Sequence, residues 1–190
     1  MTFLKTNKTL LFSFLFLALL NSCSKELETE TFENSSLINI KLKGTPSQFN
    51  EADIELLNVQ FRVMEDPTDP NAWINVNPNA LGTHDIASYI NDQTIILADF
   101  EEFPAKYIYD IRLEVGFENS VKKNGIIYPV NIDTEYRQGF SNIIKKQLDA
   151  NKVYEFLIEI DVDKSITFYS NNEAYLTPKM STNLRTFELF

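Results

Sequence analysis

A single histidine, His84, serves a chain of 190 residues that carries 27 carboxylates. Hydroxyl nucleophiles need an imidazole between the hydroxyl and an orienting acid, so a Ser-His-Asp triad here would have to use His84. Its acidic neighbour, Asp85, is adjacent in the chain and not placed as a third member. No nucleophile elbow, phosphate-binding loop or H-E-x-x-H motif occurs. The expectation is a loop or strand-edge histidine and no catalytic residue. Carboxylates are the next resource. Glu159, Asp161 and Asp163 stand two apart, and on a strand such residues point the same way, where they could face one hard cation such as Ca2+. Lys164 beside them favours the plainer reading, a solvated acidic edge with no metal. Two acids about 5 to 9 Å apart across a cleft could hydrolyse a glycosidic bond, but 27 acids meet that spacing by chance. Sugar binding without hydrolysis would fall to Trp73, the one tryptophan, beside the proline-containing stretch 65–71. Tyr109 and Phe156 read as core, since aromatics at period two are what a sheet core needs.

Cys23 is the only cysteine. Lys5 and Lys8 precede an apolar run over residues 10–20, which ends in Leu20, Asn21, Ser22 and Cys23. A basic start, a short apolar run and a small residue before a cut site make a secretory signal peptide, and the run falls short of the roughly 20 residues of a membrane span. A cysteine just after the cut resembles the bacterial lipobox, in which the thiol is diacylated and becomes the new N-terminus. The expectation is therefore a signal peptide over residues 1–22 and a lipid anchor on Cys23, with no other cofactor and no thiol left for redox chemistry. An unacylated leftover thiol is the alternative, and the spacing weighs against it. An exported domain without a disulfide must fold on its hydrophobic core alone.

Without the leader, 15 of the 17 basic side chains remain against 27 acidic ones, a formal charge of −12 on 168 residues. That surface repels nucleic acid, whose binding needs Lys and Arg on phosphates, and it repels anionic lipid headgroups. Membrane attachment must then come from acyl chains. Residues 23–36 are polar, acidic and without period, and they read as a lipidated tether. Its acids resemble an export signal that sends some lipoproteins of Bacteroidetes-type bacteria to the cell surface. The periplasmic face of the outer membrane stays open beside it.

The elements that must position these residues are strands. Residues 37–43 alternate, with Ile38, Ile40 and Leu42 on one face. Residues 53–63 alternate with a one-residue slip between Leu56 and Leu57, the mark of a β-bulge. Tyr107, Tyr109, Ile111, Leu113, Val115 and Phe117 are expected on one face of a long strand, with Asp110, Arg112 and Glu114 opposite. Asn124 and Gly125 predict a type I′ hairpin turn. Residues 135–146 stay ambiguous between strand and helix, residues 153–162 alternate again, and residues 184–190 could form a last strand. Without an amphipathic helix, this argues one antiparallel β-sandwich of about eight to ten strands over residues 37–190.

The stretch from Phe103 to Leu113 resembles an L-P-A-G-x-Y-x-x-I-R-L element, keeping Pro104, Ala105, Ile111, Arg112 and Leu113, with Lys106 in place of glycine. Leu148, Ala150, Lys152 and Tyr154, then the run from Glu159 to Ile166 with Asp161, Lys164, Ser165 and Ile166 kept, resemble an L-x-A-G-K-x-Y … D-F-D-x-x-K-S-I end, with Asn151 in place of glycine. Pro46, the run His84 to Ile86, Leu176 and Pro178 fall in the same order. Together these resemble the bacterial lipoprotein family known as domain of unknown function 4382. The resemblance implies a β-sandwich, immunoglobulin-like or transthyretin-like, in a lipoprotein context, and it supplies no activity. The expected function is a lipid-anchored, non-catalytic envelope module for binding, adhesion or assembly, with a glycan or an envelope protein as partner. A pilin-like subunit and a carboxylate-dependent glycoside hydrolase are the alternatives.

Overall fold

Two strands with strict alternation form the spine of one sheet. In the computed structural model, which describes residues 32–133, 136, 139–169 and 173–188, these are β1 (Ser35–Gly44) and, far along the chain, β10 (Lys152–Ile160). Between them run β2 (Glu51–Arg62), β3 (Trp73–Asn75), β4 (Gly82–Asp85), β5 (Ile95–Pro104), β6 (Tyr107–Val115), β7 (Ser120–Lys123), β8 (Ile126–Ile132) and β9 (Phe140–Gln147). A one-turn helix, α1 (Val162–Ser165), then β11 (Ile166–Phe168), β12 (Ala174–Leu176) and β13 (Met180–Glu188) complete the described chain. The described residues hold thirteen strands against the eight to ten expected, and β3, β4, β11 and β12 are only three or four residues each.

The all-β sandwich holds, with a four-stranded sheet in the order β13-β10-β1-β5 and a nine-stranded sheet in the order β11-β12-β8-β7-β2-β6-β9, to which β3 and β4 add through β2. The sheets are mixed, not purely antiparallel. β1 pairs β10 in parallel from Leu37↔Val153 to Gly44↔Ile160, and β12 pairs β8 in parallel. Alternation is the same for half-buried strands of either sense, so the sequence pattern does not distinguish them. A parallel pair needs a crossover, and β2 to β9 supply it.

The core lies between the sheets. Ile38, Ile40 and Leu42 meet Tyr154, Phe156 and Ile158 across the parallel register, and all six are fully buried. Phe61 from the other sheet packs at 4.9 Å between ring centres on Phe156 and at 5.1 Å on Phe103. The boundary expected after residue 36 moves by two residues: Ser35 and Ser36 are buried in β1, and the Ser35 hydroxyl donates to Glu102 Oε1 at 2.5 Å. These two positions are too small and polar to register in an apolar period, yet β5 pairs with them.

Two bulges aim side chains outward. The expected slip in β2 is present between Leu56 and Asn58, but Leu57, expected inward, is 48% exposed. In β6 the register slips between Ile108 and Asp110, so Ile108 is fully buried while Tyr107 and Tyr109 leave the core face assigned to them. Phe117 lies beyond the strand end and is exposed, another departure from that assignment. The ambiguous residues 135–146 contribute β9, a strand.

Candidate functional site

The C-terminal half of β2 is flanked on both edges: Gln60, Phe61 and Arg62 pair with Asn75, Ile74 and Trp73 of β3, and with Arg112, Ile111 and Asp110 of β6. β9 follows, with Ser141 opposite Arg112 and Ile143 opposite Asp110. Phe61 and Ile111 are buried in the core, so alternation sends their neighbours to the outer face. That face carries one row of Trp73, Arg62, Asp110 and Ile143, and a second of Asn75, Gln60, Arg112 and Ser141.

Side chains in these rows lock one another. The Arg112 guanidinium lies 3.7 Å from the centre of the half-buried Trp73 ring. Arg112 Nε donates to Gln60 Oε1 at 2.9 Å, and Nη2 donates to the same oxygen. Gln60 Nε2 donates to Asn75 Oδ1 at 2.7 Å, which also accepts from Asn58 Nδ2 at 3.0 Å. The Trp73 indole N–H reaches Pro67 O at 3.3 Å, and the loop that offers it is set by Asp66, whose Oδ1 accepts from the Thr68 backbone and hydroxyl. Those two bonds, the hydroxyl first, hold the Asp66 carboxyl below its ordinary range. Arg62 donates to Asp110 Oδ2 at 2.5 Å and lies 4.9 Å from the Tyr109 ring centre, and Tyr109 meets Tyr107 edge-on at 4.7 Å. The result is an exposed sheet face of aromatic rings, guanidinium planes and amides, stiffened by its own hydrogen bonds.

The two arginines differ. Arg62 is paired with Asp110 and caps the Met64 and Glu65 carbonyls. Arg112 makes no ion pair among the described residues, and burial pulls its pKa below the ordinary value, with Glu114 opposing that shift.

The other sequence candidates are dispersed. Glu159, Asp161 and Asp163 do not share a strand face, because β10 stops at Ile160 and Asp161 caps α1. Glu159 pairs with Lys43 at 2.8 Å, Asp161 with Lys164 at 2.6 Å, and Asp163 accepts from the Ser47 hydroxyl at 2.7 Å. The Lys164 side chain, then its backbone N–H, lowers the Asp161 pKa. Among the described residues no group of three or more His, Cys, Asp or Glu is placed to share a metal ion. Glu159 and Asp161 do line an open groove of about 420 Å³ with Thr45, Ser141, Lys164 and Lys179. His84 sits on β4 opposite Ile54, and its Nε2 is buried without a hydrogen-bond partner among the described residues. Asp85 turns away from it, accepting from Ala52 N at 2.7 Å and Ala87 N at 3.2 Å. Cys23 lies outside the described residues, among which no helix is long and apolar enough to cross a membrane.

Sequence reasoning placed Trp73 but missed Arg112, Gln60, Asn58 and Asn75 around it. A signal existed in β2, whose outward positions Asn58, Gln60 and Arg62 are all hydrogen-bonding side chains.

The family model described as Domain of unknown function (DUF4382) matches residues 35–178, from the start of β1 to the segment before β13. The chain belongs to this family. Within the DUF4382 match, Lys106, at a glycine position of the motif, needs no left-handed backbone, while Asn151 adopts φ +58°, a region asparagine tolerates better than other non-glycine residues. No curated protein and no solved structure matches the chain.

Proposed function

We propose that this chain is a lipid-anchored lipoprotein of the bacterial outer membrane, facing the cell surface, whose sandwich is a non-catalytic glycan-binding module that uses the outer face around Trp73. The observation that carries the binding role is the Trp73–Arg112–Gln60–Asn75 network. It holds an aromatic ring, a guanidinium plane and amides in fixed positions on an exposed sheet, and rigid polar groups beside a ring suit hydroxyl-rich, planar-faced ligands, because little side-chain entropy is lost on binding. The non-catalytic reading is supported by the groove acids, each already bound to a lysine. The lipoprotein reading is supported by the leader pattern and by Cys23.

The test is a glycan array probed with the full acylated chain in detergent, beside Trp73→Ala. Binding that Trp73→Ala abolishes supports the module; binding that Trp73→Ala leaves intact moves the site elsewhere. For the anchor, Cys23→Ala is expected to leave the membrane fraction while keeping a cooperative melt. A variant that stays wholly in the membrane fraction would refute the lipid anchor.

A pilin-like second reading has one observation in its favour. β13 is a regular nine-residue edge strand on β10, and Arg185 to Glu188 are all exposed. Loss of polymers on deleting β13, with glycan binding unchanged, would select that reading.

A further inference from the structure

The proposed glycan face leaves one charge unexplained. A guanidinium carries five N–H donors; Arg112 gives Nε–H and one Nη2–H to Gln60 Oε1, so the Nη1 group and the second Nη2–H have no acceptor among the described residues. Arg62 on the same face, by contrast, has Asp110. Lys41, Lys43, Lys122, Lys152, Lys164 and Arg185 also have carboxylate partners within 4 Å; Lys106, Lys123, Lys145, Lys146 and Lys179 have none among the described residues, and Arg112 differs from these in being held in one orientation by a ring and an amide. The chain has a formal net charge of −10, so carboxylates are abundant, yet none closes on this cation. Arg112 is also partly desolvated, which lowers its pKa against an opposing pull from Glu114; Glu114 does not close to an ion pair, and a desolvated cation without a bound anion is costly. Its orientation is fixed from two sides, by the Trp73 ring at 3.7 Å and by the Gln60 amide, which aims the free edge of the fork away from both. Ser141, exposed, is the residue directly across from Arg112 on β9 and also lines the groove of Glu159 and Asp161.

A fixed fork with one edge unused matches a carboxylate, which takes two parallel N–H···O bonds from a guanidinium. We infer that the ligand of this face is an acidic polysaccharide, one uronate carboxylate being bound by the free edge of Arg112 while the sugar rings lie beside Trp73, over Gln60 and Asn75. This rests on the glycan-binding reading and narrows it to a charged class. Asn58, Gln60 and Asn75 serve hydroxyls, and Arg112 reads the acid. A phosphate backbone would need several free cations along its path, whereas these two rows supply Arg112 alone; that favours a uronate over a nucleic acid.

The experiment measures affinity of the full chain in detergent for oligosaccharides of galacturonate, mannuronate and glucuronate, each as the free acid and as its carboxyl methyl ester, with single-stranded oligo-dT in parallel. At least one acid is expected to bind about tenfold or more tightly than its ester, the size of a charge-assisted hydrogen-bonded pair. Arg112→Gln should remove that preference, and Arg112→Lys, which keeps charge but not the fork, should restore only part of it. Lys41→Gln, which removes a positive charge on the other sheet, should keep the preference in full. Thermal melts of both Arg112 variants control for folding. Equal affinity for acid and ester, or a preference that survives Arg112→Gln, overturns the inference; neutral esters that bind in a Trp73-dependent way leave the glycan module standing without it. No binding to any saccharide removes both, and Arg112-dependent binding of oligo-dT alone replaces the uronate with a nucleic acid.

Discussion

Asp161 ties chain direction, charge and pH together. Its side chain accepts the Lys164 backbone N–H at 3.1 Å and the ammonium at 2.6 Å, and its pKa falls below the ordinary 3.8. A carboxyl depressed by folding adds stability above its unfolded pKa, and that stability is lost as pH falls through the folded value. Urea midpoints of the native chain are therefore expected to drop as pH is lowered below about 4, with a shallower drop in Asp161→Asn. At neutral pH, Asp161→Ala removes the cap of α1 and is expected to cost about 1 kcal/mol. Trp73 and Arg112 form the other informative pair; a double-mutant cycle on unfolding free energy is expected to give a coupling of about 0.5–2 kcal/mol, and zero coupling would mean the stack contributes nothing. Trp73 was legible in the sequence as the one tryptophan beside a proline loop. Its partner was not, because only the register of β3, β2 and β6 brings Arg112 over the ring. The acids at 159, 161 and 163 misled for a local reason: period two was extended past Ile160, where the chain already turns into α1.

Strand elements were legible where one residue enforces geometry. Asn124 and Gly125 join β7 to β8 with φ +52° and +80°, as the dipeptide predicts. A Cβ at Gly125 meets no heavy atom within 4 Å, so Gly125→Ala isolates backbone strain, and a loss of about 1 kcal/mol in a denaturation series is expected. Phe156, with Phe61 against it, tests the opposite regime of packing without backbone strain. Phe156→Ala is expected to cost about 3–5 kcal/mol, enough to unfold a marginal domain. The bulges were only half legible. A phase slip in β2 is visible in the letters, but which residue is extruded depends on pairing with β6. In β6 the slip is invisible, since Tyr107, Ile108 and Tyr109 are apolar enough to suit either face, and β9 decides the matter.

Across the whole molecule, β13 covers one edge of β10, and Met180 and Leu184 pack on the core. Ending the chain at Lys179 is expected to lower the melting temperature and to promote association through the bared β10 edge, read by calorimetry and light scattering. The sandwich itself was legible from alternation, while its mixed sense was not, because a parallel partner lies far beyond any local window. That parallel pairing has a consequence in time. β1 is made early and pairs first with β5, and its register against β10 is completed only after all of β2 to β9. Until then the emerging chain holds a half-finished sheet, and closing so long a loop is slow. Folding of this domain is thus expected to be paced by its last third, which stopped-flow refolding of the domain would read.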